Sequence, residues 1–317
     1  MSTEIVKEED FMETAFELNT GAFLLCPPFN MSAKEPNNIW MKELAEKGDI
    51  EKSEIDRRLA YNEWSELYHS LASSSLVYVL PNKPGLQDQI YTANLGIVLP
   101  HLEERNVIIS KFKSTPRTGE EQVGIDFFNM MDFKVHHCPE FFEGEADLKY
   151  LRDDIYIGGY GQRSSIKSYD WMREKFNMNI IPIRMTDEYL YHLDCMVFPL
   201  NTNTVMACTE LMYEDDIKAL EKVAEIVDVD ADLAYQGICN SVRNYSTVYQ
   251  SSNLETLSYD DELYEIEKYK VETTVKICQQ NGLEPLFINL SECMKSGAML
   301  SCTVMHLNYV DYQHNNV

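Results

Sequence analysis

The chain has 317 residues, enough for one large core or two smaller ones. Its 44% apolar content and mean hydropathy of −0.32 fit a globular protein and exclude a disordered or membrane-embedded one, and no apolar run approaches the roughly 20 residues of a membrane helix. A formal net charge of −25 repels phosphate backbones, which argues against nucleic acid as a partner; it suits a small cation but names none, and acidity of this kind also serves simply to keep a protein in solution.

The first ten residues carry Glu4, Glu8, Glu9 and Asp10 and lack the basic-then-apolar layout of a signal peptide, so a cytoplasmic location is expected. Residues 42–72 are charged and helix-prone, with Trp64, Leu67 and Leu71 at helical spacing. A strand is expected at 76–80, stopped by Pro81 and the Pro84-Gly85 pair, with further strands at 94–99 and 106–112. Residues 155–157 read as a strand ended by Gly158-Gly159. Residues 168–176 read as a helix, followed by a strand at 179–183. The segments 192–200 and 204–208 read as a hairpin turning at Asn201-Thr202-Asn203.

Two longer helices are expected next. One covers 215–227, with Ile217, Leu220, Ala224 and Val227 on one face and acids at its start. The other covers 259–280, with Ser258 as N-cap and Gly282 as the stop, and a strand follows at 286–290. Short strands alternating with helices make this an α/β chain. No fixed-period repeat, low-complexity stretch or linker is visible, so a single domain over 1–317 is the simpler organisation.

None of the eight cysteines falls in a Cys-x-x-Cys pair, which argues against zinc, and several lie in apolar runs as buried free thiols of a reducing compartment. The run Asp228-Val229-Asp230-Ala231-Asp232 resembles the start of a calcium loop. However, Leu233 stands where the sharp-turn glycine belongs and Cys239 where the bidentate glutamate belongs. Gly158-Gly159-Tyr160-Gly161 does not have the spacing of a dinucleotide fingerprint.

Three segments carry candidate chemistry. They are Glu143-Gly144-Glu145-Ala146-Asp147, His192-Leu193-Asp194, and Cys302 at the end of a small-residue loop. An acid, a His-x-Asp and a thiol can supply a nucleophile, a general acid/base and a group that orients it. If 192–200 is a strand, His192 and Asp194 share one face. Each segment also has a plain reading: a strand-end polar pair, or a solvated acidic loop favoured by Glu140 and Glu145. Asp88 and Asn94 precede a strand and fit turn chemistry equally well. Arg117 is a loop arginine, solvated unless it is placed over a pocket, where it can hold a carboxylate bidentately.

Together these motifs resemble the guanidine-modifying enzymes of the pentein superfamily, which include arginine deiminases, dimethylarginine dimethylaminohydrolases, amidinotransferases and arginine dihydrolases. The likeness runs over residues 38–307. Asn38-Ile39-Trp40-Met41 is similar to the family's early Asn-x-Trp-Met. Asp88-Gln89-Ile90-Tyr91-Thr92-Ala93-Asn94 is similar to its Asp-x-x-Phe-x-x-Asn, and residues 112–120 to its Phe-x-x-x-x-Arg-x-x-Glu. Glu143 to Asp147 resemble Glu-Gly-x-Gly-Asp, and residues 158–165 the Gly-Tyr-Gly-x-Arg-Thr-Ser of the dihydrolase branch. His192-Leu193-Asp194 resembles His-x-Asp, and Cys302 the C-terminal nucleophile. Two departures stand out: Ala146 replaces a usual glycine, and Ser296-Gly297-Ala298 replaces a more glycine-rich run.

The resemblance implies a five-bladed α/β propeller of ββαβ units around a pseudo-fivefold axis. It implies hydrolysis of the guanidino group of arginine through a covalent Cys302 adduct, giving ornithine or citrulline. Amidino transfer, methylarginine hydrolysis and a non-catalytic binding protein are the alternatives. Cys302, His192 and Glu143 would be catalytic. Asp88 and Asp194 would clamp the guanidinium, and Arg117, Asn94 and Asn38 would complete the substrate site. No cofactor or metal is implied. The implied partner is a small cationic guanidino compound, with no nucleic acid and no membrane, and a homo-oligomer left open.

Overall fold

The computed structural model describes residues 20–47 and 54–310, so the acidic stretch at 1–10 and residues 48–53 of the helix-prone stretch 42–72 lie outside the described residues. Among the described residues the strands form five three-stranded sheets. Four sheets are continuous in sequence: β3 (Gly96–Val98), β4 (Asn106–Ile109) and β5 (Lys134–His137); β6 (Leu148–Arg152), β7 (Ile155–Tyr160) and β8 (Asn179–Arg184); β9 (Val197–Pro199), β10 (Thr204–Ala207) and β11 (Glu225–Asp228); and β12 (Ser241–Asn244), β13 (Thr247–Ser251) and β14 (Glu284–Ile288).

In each of these sheets the first two strands pair antiparallel. The third joins the second in parallel. A parallel partner needs a crossover, and each has a helix: Glu120–Met130, Ile166–Phe176, Glu214–Glu221 and Tyr264–Gln280. The fifth sheet has the same plan but is built from both ends of the described chain. β1 (Ala22–Leu25) pairs in parallel with β2 (Leu76–Val79) across the helix Arg57–Ala72, and antiparallel with β15 (Met305–His306).

The local chemistry explains most boundaries. The Asp56 carboxylate accepts from the Arg58 and Leu59 N–H groups and starts the Arg57–Ala72 helix, which buries Ala60, Trp64, Leu67 and Leu71 on one stripe. Asn177, at φ 54°, ends Ile166–Phe176, and Gly282, at φ 68°, follows the end of Tyr264–Gln280.

Several expected elements differ. Among the described residues of the helix-prone stretch 42–72 lie the helices Ile39–Glu46 and Arg57–Ala72. The 215–227 helix stops at Glu221, because Glu225–Asp228 pairs in parallel with β10 and tertiary pairing outweighs the helical periodicity. The 259–280 helix starts at Tyr264 rather than after Ser258, since the Asp261 carboxylate takes the Leu263 N–H and closes a turn there. The strand at 155 runs through Gly158-Gly159 to Tyr160 instead of ending at them. Residues 92–95 are a 3₁₀ turn before β3, and 193–195 a 3₁₀ turn before β9, where continuous strands were expected. The fivefold recurrence of one sheet plan is compatible with the five ββαβ units that the resemblance implies, although no matching repeat is visible in the residues.

Gly144 sits where two of the short turns that precede first strands meet. It has φ 62°, and a Cβ there would fall 2.4 Å from the Ala93 carbonyl oxygen and 2.8 Å from the Gly96 nitrogen. Gly144→Ala should therefore lower the unfolding free energy by at least about 1–3 kcal/mol, from the left-handed backbone alone. Urea unfolding checks this, and an unchanged midpoint would show that the two turns are not in forced contact.

Candidate active site

The short turns that lead into the first strands gather the polar residues. Asn94 lies in Thr92–Leu95 before β3, and Glu143 caps Gly144–Asp147 before β6. His192 caps Leu193–Cys195 before β9, and Cys302 lies in Ser301–Thr303 before β15. The turns pack in succession: Ser301–Thr303 on Thr92–Leu95, that on Gly144–Asp147, and that on Leu193–Cys195. Gly159 allows the last of these contacts, since a Cβ there would lie 2.8 Å from Leu193 Cβ.

One cavity of about 20 Å³ is lined by Asn38, Asp88, Asn94, Arg117, His192 and Cys302, together with Asn37, Tyr91, Arg163, Tyr191, Ser296 and Ala298. Two expected site residues stand outside its wall. Glu143 bonds to His192 from behind, Oε2 to Nε2 at 2.8 Å. Asp194 spends its oxygens on neighbours: Ser301 Oγ–H at 2.6 Å, and the thiols of Cys302 and Cys195 at 3.6 Å each. Because His192 and Asp194 belong to a 3₁₀ turn rather than a strand, they do not share a face. His192 reaches the cavity and Asp194 reaches under the Cys302 turn.

The region read as a solvated acidic loop is buried from Phe142 through Leu148. Glu145 binds the backbone N–H and Nδ1 of His306, at 2.9 and 2.8 Å, and so ties β15 to this turn. Ala146, in place of a usual glycine, is fully buried while the Glu143–His192 contact stays at 2.8 Å.

Charges in this volume are strongly perturbed. Burial opposes ionisation of Glu143, yet the hydrogen bond from His192 and the charges of Arg163, His192 and Arg117 outweigh it and hold the carboxyl at about 2. Asp147 is compensated less. Burial pushes it up to about 6, against the charge of His192 and the hydrogen bonds from Ser164 Oγ–H at 2.6 Å and the Leu193 N–H at 3.2 Å. Burial also raises Asp88, which accepts from Asn37 Nδ2 and from Gln87 Nε2 at 3.2 Å. Burial first, and the Asp194 charge second, push the Cys302 thiol up to about 12. In this arrangement the thiol is neutral at neutral pH.

Arg117 is buried, and the Nε–Nη2 edge of its guanidinium is occupied. Nε and Nη2 bind Glu120, the shortest contact being 2.7 Å, and Nη2 also binds the Asp88 and Tyr91 carbonyls at 3.3 and 3.2 Å. Arg163 is the cation that spans the mouth. It donates to the Asn37 carbonyl at 2.8 Å, lies 3.5 Å from Glu143 Oε1 and stacks 4.8 Å from the centre of the Tyr191 ring. Asn37, Asn38, Arg163 and Tyr191 also line an outer cavity of about 270 Å³ with Lys42 and Lys113. These four side chains are thus the wall between an open vestibule and the inner space, which is sized for about one water.

Arg163 was legible as a member of a motif but not as a site residue, and Tyr191, beside His192, lies in none of the motifs. Asn240, whose Nδ2 lies 3.5 Å from Cys302 Sγ, carried no signal at all. Asp228 and Asp230, the calcium-like pair, cap local structure: Asp228 accepts from Thr209, and Asp230 from the Leu233 N–H at 2.9 Å. Among the described residues no cluster of three or more His, Cys, Asp or Glu is arranged around a metal-sized space, and no helix is long and apolar enough to cross a membrane.

No family model matches the chain. A bifunctional arginine dihydrolase/ornithine cyclodeaminase of Nostoc sp. is 33% identical over 181 residues, 56% of this chain and 24% of that protein. An N(G),N(G)-dimethylarginine dimethylaminohydrolase of Mycobacterium tuberculosis is 20% identical over 293 residues, 91% of this chain and 86% of that one. Homologues of the chain therefore include guanidino-group hydrolases. The match spans only about a quarter of the bifunctional cyanobacterial relatives. Among solved structures, the N-terminal domain of a cyanobacterial arginine dihydrolase with bound substrate aligns with a TM-score of 0.77 at 22% identity, over 91% of this chain and 98% of that one. The mixed α/β fold is the pentein fold of these structures.

Asp147 provides a test of the electrostatics. Its carboxyl, at about 6 in the folded protein, lies above the roughly 3.9 of an unfolded chain. Between those values the folded state binds more protons, so this group's contribution to stability falls as pH rises. The unfolding free energy of the wild type minus that of Asp147→Asn should decrease from pH 4 to pH 7. A difference that is flat or rises over that interval would place Asp147 in a polar environment instead.

Proposed function

We propose that the protein hydrolyses the guanidino group of arginine through a covalent adduct on Cys302. The arrangement that carries this reading is Cys302, His192 and Asp88 on one buried cavity, with Glu143 fixed to the imidazole from behind. The similarity to arginine dihydrolases supports the substrate, and the five equivalent sheets support the five-bladed propeller of ββαβ units around a central site.

A guanidinium is planar, cationic and resonance-stabilised, so attack on its central carbon needs a strong nucleophile, anions that hold the plane and an acid for the leaving nitrogen. Asp88 faces the cavity and accepts the guanidinium N–H groups, and Asp194 supplies negative charge beside the sulfur. A thiol held neutral at rest becomes nucleophilic when a cation arrives against these carboxylates, because a nearby positive charge favours the thiolate. The thiol proton passes by way of His192 to the departing amine as the sulfur–carbon bond forms, and ammonia leaves. Water then attacks the thiouronium, with His192 taking its proton, and the thiol is restored. One cycle gives citrulline. A second, releasing another ammonia and carbon dioxide, gives ornithine.

One role is assigned here differently from the resemblance: with the Nε–Nη2 edge of Arg117 bonded to Glu120 and backbone carbonyls, Arg163 at the mouth reads the carboxylate of arginine, while Arg117 fixes the turn carrying Asp88 and Tyr91. An arginine-sized substrate enters only when the Asn37, Arg163 and Tyr191 wall opens.

Purified protein given arginine should form ammonia with citrulline or ornithine, resolved by chromatography. Transfer of the amidino group to added glycine would identify an amidinotransferase instead, and no turnover of any guanidino compound would leave a binding protein. Arg163→Ala should raise KM for arginine roughly ten- to a hundredfold, the worth of a charge-assisted bond, and should matter little for agmatine, which lacks the carboxylate. Equal losses on both substrates would remove Arg163 from carboxylate recognition. Arg117→Ala should instead impair both substrates and lower thermal stability.

A further inference from the structure

We infer that Asn240 is a further catalytic residue, whose side-chain amide donates to Cys302 Sγ and holds the sulfur as a thiolate during the reaction proposed above. The inference deepens that reading and rests on it. Asn240 is 2% exposed. Its Nδ2 lies 3.5 Å from Sγ, and its Oδ1 accepts the Ser301 N–H at 2.8 Å. A backbone N–H can only donate, so the amide orientation is determined: the oxygen faces Ser301 and the N–H group faces the sulfur.

The position of Asn240 follows from the fold. Four of the five segments that lead into a first strand bring Asn94, Glu143, His192 and Cys302 to the centre. The fifth leads from Ala231–Tyr235 into β12, and Asn240 stands at its end, just before Ser241. Gly237, at φ 77°, turns the chain there, and the Asn240 N–H closes the turn on the Gly237 carbonyl at 3.0 Å. Asn240 is thus the contribution of the fifth segment to the same centre.

The chemistry calls for such a donor. At rest the Cys302 thiol donates to Asp194 Oδ2 at 3.6 Å, an oxygen that also takes the Ser301 hydroxyl at 2.6 Å. When the proton leaves, the sulfur faces Asp194 as a like charge. The titratable groups around it are Asp194, Lys149, Tyr91, Tyr191, Cys195 and Cys293, with His192, Asp88, Arg117 and Arg163 on the same cavity wall. Arg117 is bonded to Glu120 and Arg163 to the Asn37 carbonyl, and the groups that reach the sulfur as donors are the Asn240 amide and the Met299 backbone. The Asn240 amide offers an N–H that does not titrate, and it serves the sulfur twice: before attack on the guanidinium carbon, and again when water expels the sulfur from the adduct.

Asn240→Leu preserves the side-chain shape and removes the donor, and Asn240→Ala serves if the leucine variant fails to fold. The first measurement is the rate at which iodoacetamide alkylates Cys302, followed on its own peptide by mass spectrometry across pH. Below the thiol's inflection the variant should react about ten- to a hundredfold more slowly, because a lost bond to a charged group raises the thiol by one to two units. The second is the pH profile of turnover, in which the deficit should shrink as pH rises. An alkylation profile coincident with wild type, or a turnover deficit constant across pH, would overturn the inference and leave Asn240 as a brace for Ser301. Alkylation needs no guanidino substrate, so it tests Asn240 even if the protein proves to act on something else.

Discussion

Glu143 is an ionised carboxylate with no exposure to water, and a charge so placed persists only while its partners are held rigidly. The bond to His192, the nearby Arg163 and the Ser164 hydroxyl that receives the Glu143 N–H at 3.0 Å come from different parts of the chain. The packing of the Gly144–Asp147 turn between Thr92–Leu95 and Leu193–Cys195 keeps them together. Asp147 extends the constraint: it takes the Ser164 hydroxyl and the Leu193 N–H, so the same turn that carries Glu143 also positions the residue next to His192. Moving this turn would therefore alter the acid, the imidazole and the cavity wall at once.

The second consequence is a division of charge. In a chain of net charge −25, the buried centre pairs carboxylates with two arginines, and the mouth is where Arg163, Lys42 and Lys113 collect. A molecule with a cationic end and an anionic end has one orientation in such a field. The thiol that would attack the cationic end stays protonated until that end arrives, which protects it from adventitious electrophiles.

The site was legible in the sequence to the extent that its residues sit in short motifs. Glu143 with its following glycine, His192 with Asp194, and Cys302 after a small-residue loop each advertise themselves locally, and the structure brings His192 and Cys302 onto one cavity with Glu143 behind. What stayed hidden is what depends on packing. Periodicity alone made 192–196 a strand and 222–227 a helix, whereas the partners of those residues lie in other sheets and decide otherwise. Arg117 read as a loop arginine able to hold a substrate carboxylate; that Glu120, three residues on in the same motif, turns back onto its guanidinium is a matter of packing that the spacing does not show. The fivefold plan entered only through the family resemblance, because each sheet fills its strands with different apolar residues and leaves no visible repeat. The resemblance carried no motif in the segment before β12, and so Asn240 was missed.

The account turns on covalent chemistry at Cys302. Wild-type protein mixed with arginine, quenched in acid within its first turnovers and digested for mass spectrometry, should carry on the Cys302 peptide an added mass equal to arginine less ammonia. Cys302→Ser, folded and mixed in the same way, should carry none and form no product. Turnover of a guanidino compound by the serine variant at a rate near wild type, or an adduct that maps to another residue, would contradict the account.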